Sequence, residues 1–362
     1  VLRRFVTGGI VGILLAGSAT ALEIKPQEVI DRYRRVLTLL SSGERDQAMA
    51  ALYDLETRAI GDGIGTVELQ RFWRLKLKVV REVLQAGELD QLIPIIVLHH
   101  DAYLMYREKG QPFLAGHART MAAELAETLA KKDHDPQVRE FSSWVLTSFA
   151  VYMQENRSVS SSAAFLQTAL DFAPDNHLAM LALGAAHEKY GEYEAATGVL
   201  QREVELNADD YEARLRLAIC QRRLGQREAP VRHLKKLVEA GPPEWIRTLA
   251  FEELARIYRE DGTPEMAQAL LERGLTELPN EQQLRIQAAA YLDLDRRPRE
   301  ASQLLDGLRD AGEGASSPRY KYDRWPHDGV EEVRGSMRAM MDSHLGELAA
   351  GLRSVPATGV GS

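Results

Sequence analysis

Residues 181–200 read LALGAAHEKYGEYEAATGVL, and thirty-four positions further on residues 215–234 read LRLAICQRRLGQREAPVRHL. Set one above the other, the two stretches match Leu183 with Leu217, Gly191 with Gly225 and Leu200 with Leu234. Working outward, the beat reaches back to Ala150 and Leu166. Forward it pauses at Gly241-Pro242-Pro243-Glu244-Trp245-Ile246-Arg247, where three extra residues are inserted. It resumes at Leu254, Gly262, Ala267 and Leu271, and again at Ala288, Arg296, Ala301 and Leu305. A period in the thirties with two helical segments per unit marks a solenoid of stacked hairpins. Small residues let two antiparallel helices approach, a glycine turns the chain, and a proline ends the second helix. Pro174, Pro242 and Pro279 fall at or near three unit ends, and the second unit ends instead at Asn207-Ala208.

These residues resemble the tetratricopeptide repeat (TPR) family. Leu254, Ala255, Tyr258, Gly262, Ala267, Leu271, Gly274 and Pro279 follow its pattern best, and Leu183, Gly184, His187, Gly191, Ala196 and Leu200 come next. Five units are expected: 143–176, 177–210, 211–247, 248–281 and 282 to about 309. The family's early tryptophan is absent, replaced by Met180, Arg214, Phe251 and Arg285. Pro230 stands where alanine is usual, which a helix tolerates only if it begins near Glu228. The resemblance implies an all-α, right-handed solenoid of antiparallel hairpins and a protein or peptide partner. It does not imply which partner.

The rest of the chain bounds the reading. No period-two strand pattern persists. With 45 basic against 53 acidic residues the chain is mildly acidic, which speaks against a general nucleic-acid binder. Cys220 is the single cysteine, so no internal disulfide can form, and its apolar neighbours suggest a buried thiol. Residues 1–21 have the pattern of an export signal: Arg3 and Arg4, an apolar run Phe5–Ala16, and the small-residue cleavage site Ala19-Thr20-Ala21. Ser18 occupies the place where a lipoprotein cysteine would stand, and nothing later is apolar enough to span a membrane.

Residues 22–142 read as divergent TPR-like hairpins. Helices are expected at Pro26–Leu40, Glu44–Thr57, Val67–Gln85, Glu88–Lys109, Phe113–Lys131 and Gln137–Gln154, with Pro94 kinking or starting the fourth. A separate helical bundle is the alternative. Residues 310–329 form a linker with an aromatic-basic strip, in which Tyr320, Tyr322 and Trp325 alternate with Arg319, Lys321 and Arg324. An amphipathic helix over 330–356 would cap the last repeat, and 357–362 would be a disordered tail.

Candidate functional residues fall in two sets. His99-His100-Asp101 invites a metal-site reading, but adjacent helical residues point apart and no earlier histidine exists to complete it. No phosphate loop, nucleophile elbow or zinc motif occurs, so no catalytic, cofactor or metal residue is assigned. In the repeats, the groove positions that chaperone-binding TPR members fill with a lysine–asparagine clamp hold Thr147, Val151, Leu181, Ala185, Leu215 and Ile219, which removes that partner class. An apolar groove of Leu181, Ala185, Leu215 and Ile219 remains as a candidate, joined by Arg256 and Arg259 in the fourth unit. Between Arg214 and Lys236 lie eight basic residues and one acid, Glu228. Arg216, Arg222, Arg223 and Arg227 of that band could dock an acidic partner, or could be neutralised by Glu203, Glu205 and Asp209. The expected function is a non-enzymatic interaction scaffold of the bacterial periplasm or envelope. An accessory subunit, an enzyme sited in the N-terminal third, and a binder of anionic envelope polymer are the alternatives.

Overall fold

A glycine one residue past a helix end can take the left-handed conformation and turn the chain back on itself. Gly191, Gly225 and Gly262 do so, with φ of +76°, +77° and +75°. In each, the glycine N–H and the next N–H bond back to the final helical turn, as in Gly225 to Arg222 (2.9 Å) and Gln226 to Gln221 (3.0 Å). The same pair of bonds recurs at Gly43 and Gly110 in the N-terminal part of the chain. At the fifth expected unit it recurs at Arg296, the only non-glycine with positive φ (+60°) among the described residues.

The computed structural model describes residues 25–60, 66–85, 91–155, 159–306, 308, 318, 322 and 323. The expected export signal, the glycine-rich break at 61–65, most of the 310–329 linker, the capping helix and the tail lie outside them. The described residues form fifteen α-helices and no strand. Six precede or open the repeats: α1 (Pro26–Ser41), α2 (Arg45–Ile60), α3 (Thr66–Gln85), α4 (Leu92–Glu108), α5 (Pro112–Lys132) and α6 (Pro136–Glu155). Pro94 lies in the first turn of α4, where its missing N–H has no helical partner to lose. The repeats supply α7 (Val159–Phe172), α8 (His177–Lys189), α9 (Tyr193–Leu206), α10 (Tyr211–Arg223), α11 (Glu228–Ala240), α12 (Glu244–Glu260), α13 (Pro264–Glu277), α14 (Gln282–Leu294) and α15 (Pro298–Asp306). Helix α11 starts at Glu228, the register that accommodates Pro230.

The chain divides into two compact units. Unit 1 runs to Met153 and takes in Gln167–Asn176; unit 2 comprises Gln154–Leu166 and the described residues from His177 onward. The repeat expected at 143–176 is therefore shared between them.

Unit 2 is a solenoid of antiparallel hairpins: α8 packs on α9, α10 on α11, α12 on α13 and α14 on α15, and each hairpin packs on the next. First helices also meet one another, α8 with α10, α10 with α12, and α12 with α14. Within the α8–α9 hairpin Gly184 shows how closely the two helices approach: a Cβ there would lie 2.5 Å from the side chain of Leu200 on α9. Leu254, Ala255, Ala267 and Leu271, named by the repeat pattern, are all buried in one core.

Unit 1 packs differently from the expected hairpin succession. Helix α4 pairs with α5 across the Gly110 turn, α1 pairs with α2 across Gly43, and α3 lies on α1. The hairpin anticipated between α3 and α4 does not form among the described residues. Gly110 supplies a left-handed glycine turn after α4, which returns the chain as α5.

Candidate functional site

The first helix of each hairpin in unit 2 places one side on its neighbours' first helices, and the charged residues of the site lie along that row. Arg216 on α10 is 3% exposed. Its Nε donates to Glu212 one turn earlier (2.9 Å), and Nη1 donates to Glu188 on α8 (2.8 Å). Its Nη2 donates to the backbone carbonyl of Tyr322 (3.0 Å), and the guanidinium sits 4.3 Å from the centre of the Tyr322 ring. The Tyr322 hydroxyl donates to the second oxygen of Glu188. Tyr322 itself is 3% exposed and joins a core with Leu215, Ala218 and Ile219.

Burial dominates the electrostatics of this cluster. It pushes the Glu212 carboxyl up to about 7, while Arg216 pulls the other way. Burial alone would lower the Arg216 guanidinium, but Glu212, Tyr322 and Glu188 more than offset it and hold it above its ordinary value. Burial and then Glu188 raise the Tyr322 phenol, so it stays a hydrogen-bond donor at any physiological pH. Burial followed by Glu188 pushes the Cys220 thiol up to about 12, which keeps it protonated and unreactive.

Three further residues of the basic band are held by internal ion pairs, and Arg214 bonds the Ala208 carbonyl (2.6 Å). Arg222 has a side chain only 10% exposed and bonds Glu253 (2.9 Å) and Glu260 (3.3 Å) of α12. Arg227 bonds Asp261 (2.6 Å), and Arg232 faces Glu228 (3.7 Å). The expected neutralisers Glu203, Glu205 and Asp209 are replaced in this role by acids of the following hairpin, because the next first helix lies alongside the end of α10. Arg222 is therefore not the exposed residue that the charge pattern suggests. Arg223, Lys235 and Lys236 remain exposed, with no ion pair to a described residue.

Farther along the row, Arg259 makes a two-pronged bond to Asp295 (3.0 Å to each oxygen) and lies 4.5 Å from the Tyr291 ring. Arg256 faces Glu253 (3.6 Å), and Glu252 accepts from Gln283 of α14 (2.9 Å). Leu181, Ala185, Leu215 and Ile219 are buried. The open apolar groove expected from them is corrected accordingly: Leu215 and Ile219 share a core with Tyr322, and Leu181 packs with Ala213 and Leu217. Sequence reasoning marked the aromatic-basic strip but assigned it to a linker, and it missed Glu188 and Glu212. Lone acids on a first helix give no periodic signal.

In unit 1 the His99-His100-Asp101 run disperses. His99 pairs with the Tyr33 hydroxyl (2.8 Å), His100 with Ser148 (3.2 Å), and Asp101 with Arg45. A different set converges instead. Lys76 donates to Glu56 and to His117 Nε2 (3.2 Å), and Tyr106 donates to the other Glu56 oxygen (2.6 Å). Lys76 and Glu56 are fully buried. Burial and then Lys76 hold the His99 and His117 imidazoles well below their ordinary pKa, so both are neutral. This enclosed pair ties α2 to α3.

The class that this geometry defines is an all-α solenoid of tetratricopeptide-like hairpins. No family model and no curated protein matches the chain. Solved structures do resemble it. A tetratricopeptide repeat protein from Parabacteroides merdae is 13% identical and covers 69% of this chain and 99% of its own, with a TM-score of 0.46. MamA from Desulfovibrio magneticus is 15% identical over 47% of this chain and 97% of its own, with a TM-score of 0.41. YrrB, a TPR protein with an unusual peptide-binding site, is 16% identical over 46% and 84%, with a TM-score of 0.37.

Proposed function

We propose that this chain is a non-enzymatic protein-interaction scaffold that works in the bacterial periplasm or envelope. One observation carries the reading. The row of first helices α8, α10, α12 and α14 forms a continuous face whose arginines are fixed by neighbouring carboxylates, and Tyr322 is seated on it. Side chains held in place before a partner arrives lose little entropy on binding, which favours recognition. Export rests on the pattern of residues 1–21 alone. No described helix is long and apolar enough to cross a membrane.

The test is capture from an envelope extract by the immobilised protein, followed by mass spectrometry. The scaffold reading expects a defined set of polypeptides that disappears when the extract is first treated with protease. Retention of protease-resistant anionic polymer in their place would hand the assignment to the polymer alternative. An acidic partner would draw on the exposed Arg223, Lys235 and Lys236, so changing all three to glutamate should reduce its capture without changing the melting temperature. Protein recovered from the envelope should begin at Leu22 by intact mass; a retained Val1 would end the cleaved-signal reading.

A further inference from the structure

The Tyr322 contact is unusual for a core contact. The residue comes from a stretch 106 positions beyond Arg216, and Tyr322 and Asp323 there have helical backbone. Among the described residues, the Tyr322 phenol hydroxyl donates to Glu188, its backbone carbonyl accepts from Arg216, and its ring face lies under the Arg216 guanidinium. Any polypeptide that presents a tyrosine can make those three interactions, and covalent attachment adds only local concentration. Glu188, Glu212 and Arg216 are also held by one another, so the pocket stays organised when its occupant leaves.

The chemistry of the pocket is selective. Two carboxylates share one guanidinium, and the oxygen that meets the phenol belongs to a carboxylate with a side chain only 12% exposed. That oxygen needs a donor, which phenylalanine lacks and an ionised phosphate ester cannot supply. The chain's own occupant is flanked by Arg319, Lys321 and Arg324, charges that suit an acid-rich pocket.

We infer that Glu188, Arg216 and Ile219 form a tyrosine-reading peptide pocket that the chain's own Tyr322 occupies in cis, so that a tyrosine-bearing, basic-flanked partner segment enters by displacing it. This rests on the scaffold reading and names the site that reading lacks.

The experiment uses the full chain and a fluorescent peptide with the sequence of residues 317–326, followed by anisotropy. A tethered segment competes at an effective concentration of about 1 mM. Tyr322→Ala should therefore bind the peptide at least about tenfold more tightly than wild type. Adding Arg216→Ala should abolish that binding, as should phenylalanine or phosphotyrosine at the peptide's second tyrosine. Equal binding by wild type and a folded Tyr322→Ala chain, or binding indifferent to the peptide's hydroxyl, overturns the inference. If Tyr322→Ala loses its cooperative melt, Tyr322→Phe keeps the ring and removes only the phenol. It should admit the peptide several-fold better than wild type, and no change overturns the proposal. Failure here alongside successful protease-sensitive capture by wild type would refute the pocket and leave the scaffold reading standing; loss of capture with intact peptide binding would do the reverse.

Discussion

Units 1 and 2 use the same turn and fill the space between helices in different ways. The left-handed glycine cap at Gly43 and Gly110 in unit 1 is that of Gly191, Gly225 and Gly262 in unit 2. In unit 2 the hairpin interiors are mostly aliphatic and small, and, apart from Glu203 of α9, the buried charged residues lie on first helices. In unit 1 charge and polarity converge at the centre. Tyr33 of α1, Glu56 of α2, Lys76 of α3, His99 and Tyr106 of α4 and His117 of α5 are all buried, one or two from each helix. Interchangeable apolar side chains permit a repeating sequence, because any hairpin fits the next. A polar network permits no such repetition, since each donor needs its own acceptor.

The largest effects should separate the units. Lys76→Met leaves the Glu56 carboxylate buried without its cation and should cost roughly 3–5 kcal/mol. Leu254→Asp, at a site 1% exposed, places a charge among aliphatic neighbours and should cost several kcal/mol. Hydrogen exchange read by peptide should show the first loss within α1–α5 and the second within α10–α14. A Lys76→Met chain as stable as wild type would remove the contrast, whereas the double change Glu56→Leu/Lys76→Met should recover much of the loss.

Acidification should produce an intermediate effect. Neutral His99 and His117 are protonated in unfolded chains below about pH 6.5, so folding loses stability as pH falls through that value. Glu124, which burial pushes up to about 7, binds its proton more readily when folded and opposes one of the two. One uncompensated proton remains, worth about 1.4 kcal/mol per pH unit between roughly pH 6.5 and 5. Unit 2 has His177 lowered and His233 lowered to about 4, chiefly by burial. Glu203 is raised to about 8 and Glu212 to about 7 by the same cause, so those four offset one another. Exchange protection at pH 5 relative to pH 7, corrected for intrinsic rates, should fall in unit 1 and hold in unit 2. Equal losses in both would sink this account.

The smallest effect sharpens the likeness between the turns. Arg296 takes the conformation that glycine takes at the equivalent turns, at a cost of about 1–2 kcal/mol for a residue with a Cβ. Arg296→Gly should stabilise unit 2 by about 0.5–1 kcal/mol after the extra entropy of the unfolded chain is subtracted. Thermal melting would detect it, and a lower melting temperature would show that the arginine side chain contributes more than the turn.

The sequence by itself determined the helices, their turns and the stacked hairpins of unit 2. Those features depend on local conformational preference and on apolar spacing, both of which are written in order along the chain. Leu254, Gly262, Ala267 and Leu271 could be placed in register from spacing alone, and the start of α11 at Glu228 followed from Pro230. Only the tertiary structure decided how α1 to α5 pair, which acids neutralise Arg222 and Arg227, and that Tyr322 lies against Arg216 and Glu188. Charge and hydrogen bonds act between whichever groups the fold brings within about 3 Å, and linear order does not record which groups those will be. The basic band therefore looked like an outward-facing surface in the sequence, and the fold turned Arg216, Arg222 and Arg227 into ties between neighbouring hairpins.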